Sequence, residues 1–481
     1  MASFCASKFL PGLLLMLGLG LAVALASSTP TLSLLKDNLK VMNMPLGDWL
    51  HILATNFTNF VASQTLLTLT IFGVAAFVLR YLYQLFLKPL NLDRALGDVG
   101  YILDGKKKRD VVNDIRRRRK SGDLPPIYPN GWIPLVASQD LVKGDVKYIS
   151  AVGNEFAVYR GQDGEAYAVD AYCPHLGANM AIGGTVKGNC LTCPFHGWSF
   201  EGKEGKCVDI PYQEKGKSVP AQAKVKSWPV IEQNGFVLVW HDVEGREPSW
   251  FPENIEEKKW GKMYYHGTTK HTVCAHVEEI SENGADCAHL TFVHGAFMGS
   301  GNDLRYMGSK LWSWASHSWG GKWEQDPDHK HIGVMTVYHA FSLFGMPIEV
   351  TRSESTARQN GPAHVLLSFS LPFGKATIAI GVTPIEPLTQ IVTQHVYTNV
   401  MYPSFLLQAS RFFPRWLAKS FLYAEYVQFE RDIMVWNYKT YQRKPLLVFE
   451  DRLISKHRRW YSQFFSENSP KFEDMKKTLE W

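Results

Sequence analysis

CPHLGANMAIGGTVKGNCLTCPFHGW, residues 173–198, has a cysteine and a histidine at each end: Cys173-x-His175, a gap of 17 residues, then Cys193-x-x-His196. Each pair is followed by turn chemistry, with Pro174 and Gly177 after the first cysteine and Pro194 and Gly197 after the second. Two short loops, each offering one thiolate and one imidazole, suit a [2Fe–2S] cluster in which one iron takes the cysteines and the other the histidines. A structural Cys2His2 zinc site is the competing reading. Zinc sites, however, usually space their ligands as a cysteine pair followed by a histidine pair, whereas here each pair is mixed.

Outward from this stretch, the surrounding sequence reads as a small antiparallel β domain over residues 125–245. Pro125-Pro126-Ile127-Tyr128-Pro129-Asn130-Gly131-Trp132 is a stiff, extended entry. Alternating runs predict strands over Lys147–Val152, Glu155–Tyr159, Ala166–Asp170 and Gly235–Trp240, with turns at Gly161–Gly164 and Asn234-Gly235. The two ligand loops project from this domain.

The N-terminal side is apolar. Residues 1–28 contain the uncharged run Phe9–Ala26, which reads as a signal sequence or a first membrane segment. Residues 60–87 contain a second run, Phe60–Leu79, with the roughly 20 residues a bilayer requires. Arg80 and Lys88 flank the second run, and Lys106–Arg109 and Arg116–Lys120 make 88–124 a basic linker that marks a cytosolic, lipid-facing side. Whether the first run is cleaved or spans, the remainder of the chain falls on the cytosolic side. The seven cysteines show no paired framework, which fits a reducing compartment; Cys190 and Cys207, flanking the second loop, read as free buried thiols. A net charge of +6 spread over 481 residues, with no basic–aromatic groove, gives no reason to expect nucleic acid as a partner.

Residues 260–465 change texture. Strand-like runs (Met335–Ser342, Ala363–Phe369, Ala376–Val382, Gln394–Val400) mix with helical ones (Val277–Thr291, Phe405–Trp436), which predicts an α+β domain with a large sheet and helices to one side. Asp451–Phe465 reads as a basic amphipathic helix on the surface, and 466–481 as a tail. Within this domain stands Asp286-x2-His289-x4-His294. Asp286 and His289 share a face if the helix is regular, and His294 reaches the same point only if the helix is irregular or ends between the two histidines. Two histidines and a carboxylate bound facially are the ligand set of mononuclear Fe(II) oxygenases. Asp286 is one candidate carboxylate; Glu430 and Asp432, late in a helical pattern, are the others. Asn283 is either a helix-start cap or turn residue or a group beside the metal. No Gly-x-Gly-x-x-Gly opens a helix after a strand, so the chain shows no nicotinamide or flavin site, and electrons must come from elsewhere.

Together, the two ligand sets resemble the Rieske non-haem iron oxygenases over roughly residues 125–465. Glu430-Arg431-Asp432-Ile433-Met434-Val435-Trp436-Asn437, Pro445-Leu446-Leu447 and Arg458-Arg459-Trp460-Tyr461 are similar to the 3-ketosteroid 9α-hydroxylase branch. The N-terminal apolar segments and the Pro129–Trp132 entry resemble the animal, Neverland-type cholesterol 7-desaturases. The resemblance implies a helix-grip-like catalytic domain and a [2Fe–2S] cluster on Cys173, His175, Cys193 and His196. It also implies mononuclear Fe(II) on His289, His294 and Asp432. Further implications are dioxygen as co-substrate, electrons from a separate NAD(P)H-dependent reductase, and a homotrimer in which His196 of one subunit meets Asp286 of the next as an electron bridge. The implied reaction is 7,8-desaturation of cholesterol to 7-dehydrocholesterol for steroid hormone synthesis, at an endoplasmic reticulum membrane. Hydroxylation of a sterol within the same family, or a membrane Rieske electron carrier without catalysis, are the alternatives.

Overall fold

The structure, a computed structural model, describes residues 46–84, 88–256, 262–308, 312–371, 374–399 and 412–478. Phe9–Ala26 and Cys5 lie outside them, as do the ends of two sequence-predicted elements, Val400 and residues 405–411. The chain divides into two units, Met1–Lys88 and Pro89–Trp481.

In the first unit, α1 runs from Leu46 to Leu82. Its Ala54–Leu82 portion has a mean hydropathy of 1.8 and is long and apolar enough to cross a bilayer. The hydroxyls of Thr65, Thr68 and Thr70 donate to carbonyls four residues back. Internal bonding of this kind is what an apolar surrounding requires of a polar side chain. Asp48 in the first turn and Arg80 in the last complement the helix dipole.

The second unit begins with a departure from the sequence reading. Residues 88–124 are folded, not a free linker. Strand β1 (Leu90–Arg94) joins the largest sheet, and α2 (Lys108–Arg118) buries Val111 and Val112. The alternation in Leu90-Asn91-Leu92 is too short, and too close to charges, to stand out. Much of the basic run is engaged with the protein: Arg116 pairs with Glu386, and Arg119 donates to the Cys274 carbonyl.

Next comes the small β domain. Strand β2 (Gly131–Ala137) is followed by a three-stranded antiparallel sheet of β3 (Val146–Ala151), β4 (Asn154–Arg160) and β5 (Ala166–Asp170). A second sheet, β6 (Thr185–Lys187), β7 (Cys190–Thr192), β8 (Ser199–Glu201) and β9 (Cys207–Asp209), holds the ligand loops. Strand β10 (Val230–Gln233) then pairs with β11 (Phe236–His241), which in turn pairs with β2.

The larger domain is built on one curving sheet. Its strands are β12 (Tyr264–Val273), β13 (Ala315–Gln325), β14 (Ile332–Leu343), β15 (Met346–Pro347), β16 (Ser353–Asn360), β17 (His364–Leu371), β18 (Gly374–Glu386) and β19 (Thr389–Thr398). Their order is β1-β12-β19-β18-β17-β16-β14-β13, with β15 on β14, antiparallel throughout except for β1 against β12. Strands β12, β13 and β16 escape the sequence reading. Ala-Ser-His-Ser-Trp-Gly-Gly (315–321) and Ser-Glu-Ser-Thr-Ala-Arg-Gln-Asn (353–360) carry polar or small residues where a half-buried strand is expected to be apolar. The expected helix over Val277–Thr291 is two short ones, α3 (Val277–Glu282) and α4 (Cys287–Val293), broken around Gly284. The long helix α5 (Phe412–Tyr438) packs on β12 and β19, and its Ala418 and Leu422 share an apolar cluster with Ile378 of β18 and Val396 of β19.

Helix α6 (Arg452–Tyr461) is the basic amphipathic helix the sequence suggests, with Arg452, Lys456 and Arg459 exposed and its other face buried deeply. His457 and Tyr461 are fully buried, Trp460 nearly so, and Arg458 forks onto Glu282. Its buried face packs with Trp323, Met335 and Val337 of the sheet. A short α7 (Phe472–Thr478) follows. One apolar cluster joins Ile133, Phe156 and Val239 of the small domain to Val273, Phe429 and Trp436 of the large one. A shared core of this kind fixes the small domain on the large one.

Candidate functional site

The two ligand loops are built alike. In each, the cysteine carbonyl accepts the glycine N–H four residues on: Gly177 to Cys173 (2.9 Å) and Gly197 to Cys193 (3.1 Å). Both glycines adopt left-handed φ, +72° and +76°, and at Gly197 a Cβ would meet Pro211 at 2.9 Å. The tight turns bring the cysteines and histidines to one point. The Cys193 thiol lies within hydrogen-bonding reach of Cys173, and the His175 and His196 rings are 4.7 Å apart. Burial, with Cys193 beside it, pushes the Cys173 thiol up to about 11. Two buried thiols facing each other gain little without a cation. Nδ1 of His175 is likewise buried and has no hydrogen-bond partner among the described residues. These orphaned donors fit a [2Fe–2S] cluster held by two thiolates and two imidazoles. His175 stacks on Trp198, whose Nε1–H donates to Tyr212 Oη at 2.8 Å. Exposed Leu176, Phe195 and Tyr212 surround the two half-buried histidines. Among the described residues all cysteines are free; Cys207 is buried and Cys190 only half-buried.

The second constellation forms where α4 meets α5. His289, His294 and Asp432 bring their ligand atoms within 4.8 Å of one another. Asp432 Oδ1 is 3.3 Å from His294 Nε2 and 4.0 Å from His289 Nε2. Helix α4 ends at Val293 with His294 as its C-cap, so the five-residue spacing converges because the helix stops. Each ring is oriented from behind. His289 Nδ1 donates to the Asp286 carbonyl, and His294 Nδ1 to Gln428 Oε1 at 3.0 Å. Both Nε2 lone pairs therefore face Asp432, the arrangement a divalent metal needs. Burial alone would lower the His294 pKa, but the Asp432 charge and hydrogen bonds outweigh it and hold the imidazole above its ordinary value.

The remaining sequence candidates separate cleanly. Glu430, one alternative carboxylate, points away to Arg94, His271 and Asn302. Asp286 is not on the α4 face. It is the N-cap, its side chain accepting the His289 N–H at 3.2 Å, and it lies half-buried beside the triad. Asn283 follows the last residue of α3 and lines the adjoining cavity.

Two residues went unnoticed in the sequence. Gln428 holds His294. Arg431, fully buried, donates Nε to the Gly301 carbonyl (3.0 Å) and Nη1 to the Ala296 carbonyl and Gln428 Oε1 (2.9 Å each). Burial lowers its pKa to about 10, with Asp432 opposing, so it remains a cation at neutral pH. It thus ties the loop after His294 to the helix bearing Asp432. The Arg431-Asp432 dipeptide in a helical pattern is the available signal, since a buried arginine needs such carbonyls.

A cavity of about 250 Å³ opens beside the triad. Its wall is mainly apolar, with Met335, Val337, Val365, Leu367 and Phe369 from the sheet and Phe429 from α5, while Glu425 lies near His294. Burial pushes the Glu425 carboxyl up to about 7. An apolar chamber with a metal-ready triad at its wall suits oxidation of an apolar molecule.

Comparison with known proteins agrees with this geometry. Residues 131–229 match the Rieske [2Fe-2S] domain and residues 239–465 the 3-Ketosteroid 9alpha-hydroxylase C-terminal domain. The chain is 95% identical, over all 481 residues and 100% of both chains, to "Cholesterol 7-desaturase nvd" of Hemicentrotus pulcherrimus. It is 46% identical over 400 residues to the Xenopus laevis protein of the same description, covering 82% of this chain and 84% of that one. Among solved structures, Pseudomonas putida CBB5 NdmB shares the fold with a TM-score of 0.50 and 16% identity, over 70% of this chain and 93% of that one. A relative matching from end to end, over the two domains that carry the two ligand sets, makes this chain a member of the cholesterol 7-desaturase family of Rieske oxygenases.

Proposed function

We propose that this protein desaturates cholesterol between C7 and C8, giving 7-dehydrocholesterol for steroid hormone synthesis, with dioxygen and electrons from a separate NAD(P)H-dependent reductase. The near-identity to the Hemicentrotus pulcherrimus desaturase along the whole chain carries this reading. The apolar cavity against His289, His294 and Asp432 supports it.

Cys173, His175, Cys193 and His196 would hold a [2Fe–2S] cluster, and His289, His294 and Asp432 a mononuclear Fe(II). When bound, these groups supply one-electron transfer and oxygen activation. The protein's own part is to orient and enclose. Gln428 and the Asp286 carbonyl fix the two imidazoles. Arg431 locks the loop between them and α5. The sheet wall excludes water from the carbon to be oxidised.

The cluster histidines lie within an exposed apolar rim, and Asp286 is half-buried beside the triad. This favours a homotrimer in which His196 meets Asp286 of the next subunit and electrons cross there. Helix α1 favours attachment to a membrane, the endoplasmic reticulum in this reading, with the catalytic unit in the cytosol and the substrate already in the bilayer.

The test is expression of the full chain in cultured cells fed labelled cholesterol. The 7-dehydro product is expected; a hydroxysterol would assign hydroxylation instead, and unchanged cholesterol in cells whose protein shows the Rieske EPR signal would overturn the reading.

A further inference from the structure

The wall of the cavity contains two polar residues that the packing does not require. Gln359, Val365, Ile380 and Gln394 form one row across β16, β17, β18 and β19, each paired with the next. On one side of the row lie Ala357, Leu367, Ile378 and Val396, and on the other Val382 and Val392, all apolar. Both glutamines line the cavity and are buried, at 6% and 0% exposure. The Nε2 of each has no hydrogen-bond partner among the described residues. A buried amide donor left unpaired is costly, and an apolar side chain would fill either place without that cost.

The two differ in how they are held. Gln394 Oε1 accepts from the Thr269 hydroxyl at 2.9 Å, from the neighbouring position on β12, so its amide group has a fixed direction. Strands β12 and β19 are also those on which α5, the helix of Asp432, packs. Gln359 stands three strand spacings away, about 14 Å, too far to share one oxygen with Gln394.

Given the sterol reading above, on which this step rests, we propose that Gln394 donates an N–H to the sterol's hydroxyl oxygen and so sets specificity for a hydroxylated substrate. Cholesterol's hydroxyl-bearing C3 and the reacting C7 lie on adjoining fused rings. Of the two glutamines only Gln394 has its amide held by a neighbour, the Thr269 hydroxyl, so its Nε2 is the donor already aimed for that oxygen. The apolar ring body rests on Ile380 and Val365. Gln359, at the far end of the row, faces the hydrocarbon part. A site that hydrogen-bonds a hydroxyl discriminates strongly against the analogue that lacks it, because its own buried group is then left unpaired.

The test is equilibrium binding of labelled cholesterol and of cholest-5-ene, the same ring system without the hydroxyl, to purified full-length protein in detergent micelles. Gln394→Met is expected to weaken cholesterol binding about tenfold, the worth of one buried hydrogen bond, and not to weaken that of cholest-5-ene. Gln359→Met is the internal control and leaves the ratio of the two affinities as in the wild type. Thr269→Val releases the pin without touching the donor, and lowers the ratio in the same direction by a smaller factor; it decides the matter if Gln394→Met does not fold. An unchanged ratio in the Gln394 and Thr269 variants overturns the proposal, as does a ratio that moves with Gln359 instead. Wild-type protein that binds neither sterol and forms no 7-dehydro product would instead overturn the function on which the proposal rests.

Discussion

Arg94 Nε lies 3.1 Å from Glu430 Oε1, so the first strand of the catalytic sheet is tied to the helix that carries Asp432 two residues later. Glu430 is almost fully buried, and His271 and Asn302 also bind it. Burial would raise its pKa, but these partners, His271 first and Arg94 last, hold it below the ordinary carboxylate range. A residue from the stretch that reads as a linker thus helps position the metal-binding helix.

Removing that link should loosen the helix. Arg94→Met leaves Glu430 with two partners and should cost about 1–2 kcal/mol, read as a fall of a few degrees in thermal unfolding. Glu430→Ala empties a buried polar cluster and should cost more, about 3 kcal/mol. Equal unfolding temperatures for wild type and both variants would show that β1 does not brace α5.

Asp432 and Glu430 make opposite predictions for iron. Asp432→Asn and His289→Ala should each lower iron from about three to about two atoms per chain, abolish turnover and keep the Rieske EPR signal. Glu430→Gln should keep all three. Iron lost from Glu430→Gln and retained in Asp432→Asn would reverse the assignment.

Arg431 is predicted to act through geometry as well as charge. Arg431→Lys keeps the cation but loses the planar fork that reaches Gly301, Ala296 and Gln428. Turnover should fall at least tenfold while cluster content stays constant. Wild-type turnover in the lysine variant would limit the role to charge alone.

Four buried histidines set the response to acid. Burial lowers His276, His364 and His395 to about 4 and His457 to about 3, against about 6.5 in an unfolded chain. Above pH 6.5 all are neutral in both states and contribute no pH dependence. As pH falls below 6.5, the unfolded chain binds protons that the folded one refuses. Stability then drops by up to about 1.4 kcal/mol per pH unit for each histidine, down to the folded values. The four histidines therefore leave the unfolding temperature level from pH 8 to 7 and lower it from pH 6.5 to 4, while Glu425 and Glu278, raised by burial to about 7 and about 8, hold protons in the folded chain that the unfolded one releases and so offset part of that fall. His364→Asn should flatten part of that slope; an unchanged slope would assign acid sensitivity elsewhere.

The sequence by itself determined what lies close along the chain. The mixed Cys–His pairs and their Pro and Gly turns specify two loops of one design, because the turn bond that shapes each one falls within four residues. The Asp286–His294 spacing points to a helix that stops, and α4 does stop at Val293. The apolar run of α1 is equally local. Tertiary structure decided the rest. Glu430 and Asp432 are equivalent as carboxylates in a helical pattern, and only the approach of β1 and β12 to α5 turns one toward Arg94 and His271 and leaves the other to the histidines. Strands β12, β13 and β16 are polar or glycine-rich and are held by the partners they pair with, which no local period records. The depth to which α6 is buried comes from Trp460 and Tyr461 meeting Trp323, Met335 and Val337, more than a hundred positions earlier in the chain. Gln394, unremarkable in the sequence, becomes a candidate binding group only once the sheet register surrounds it with apolar neighbours.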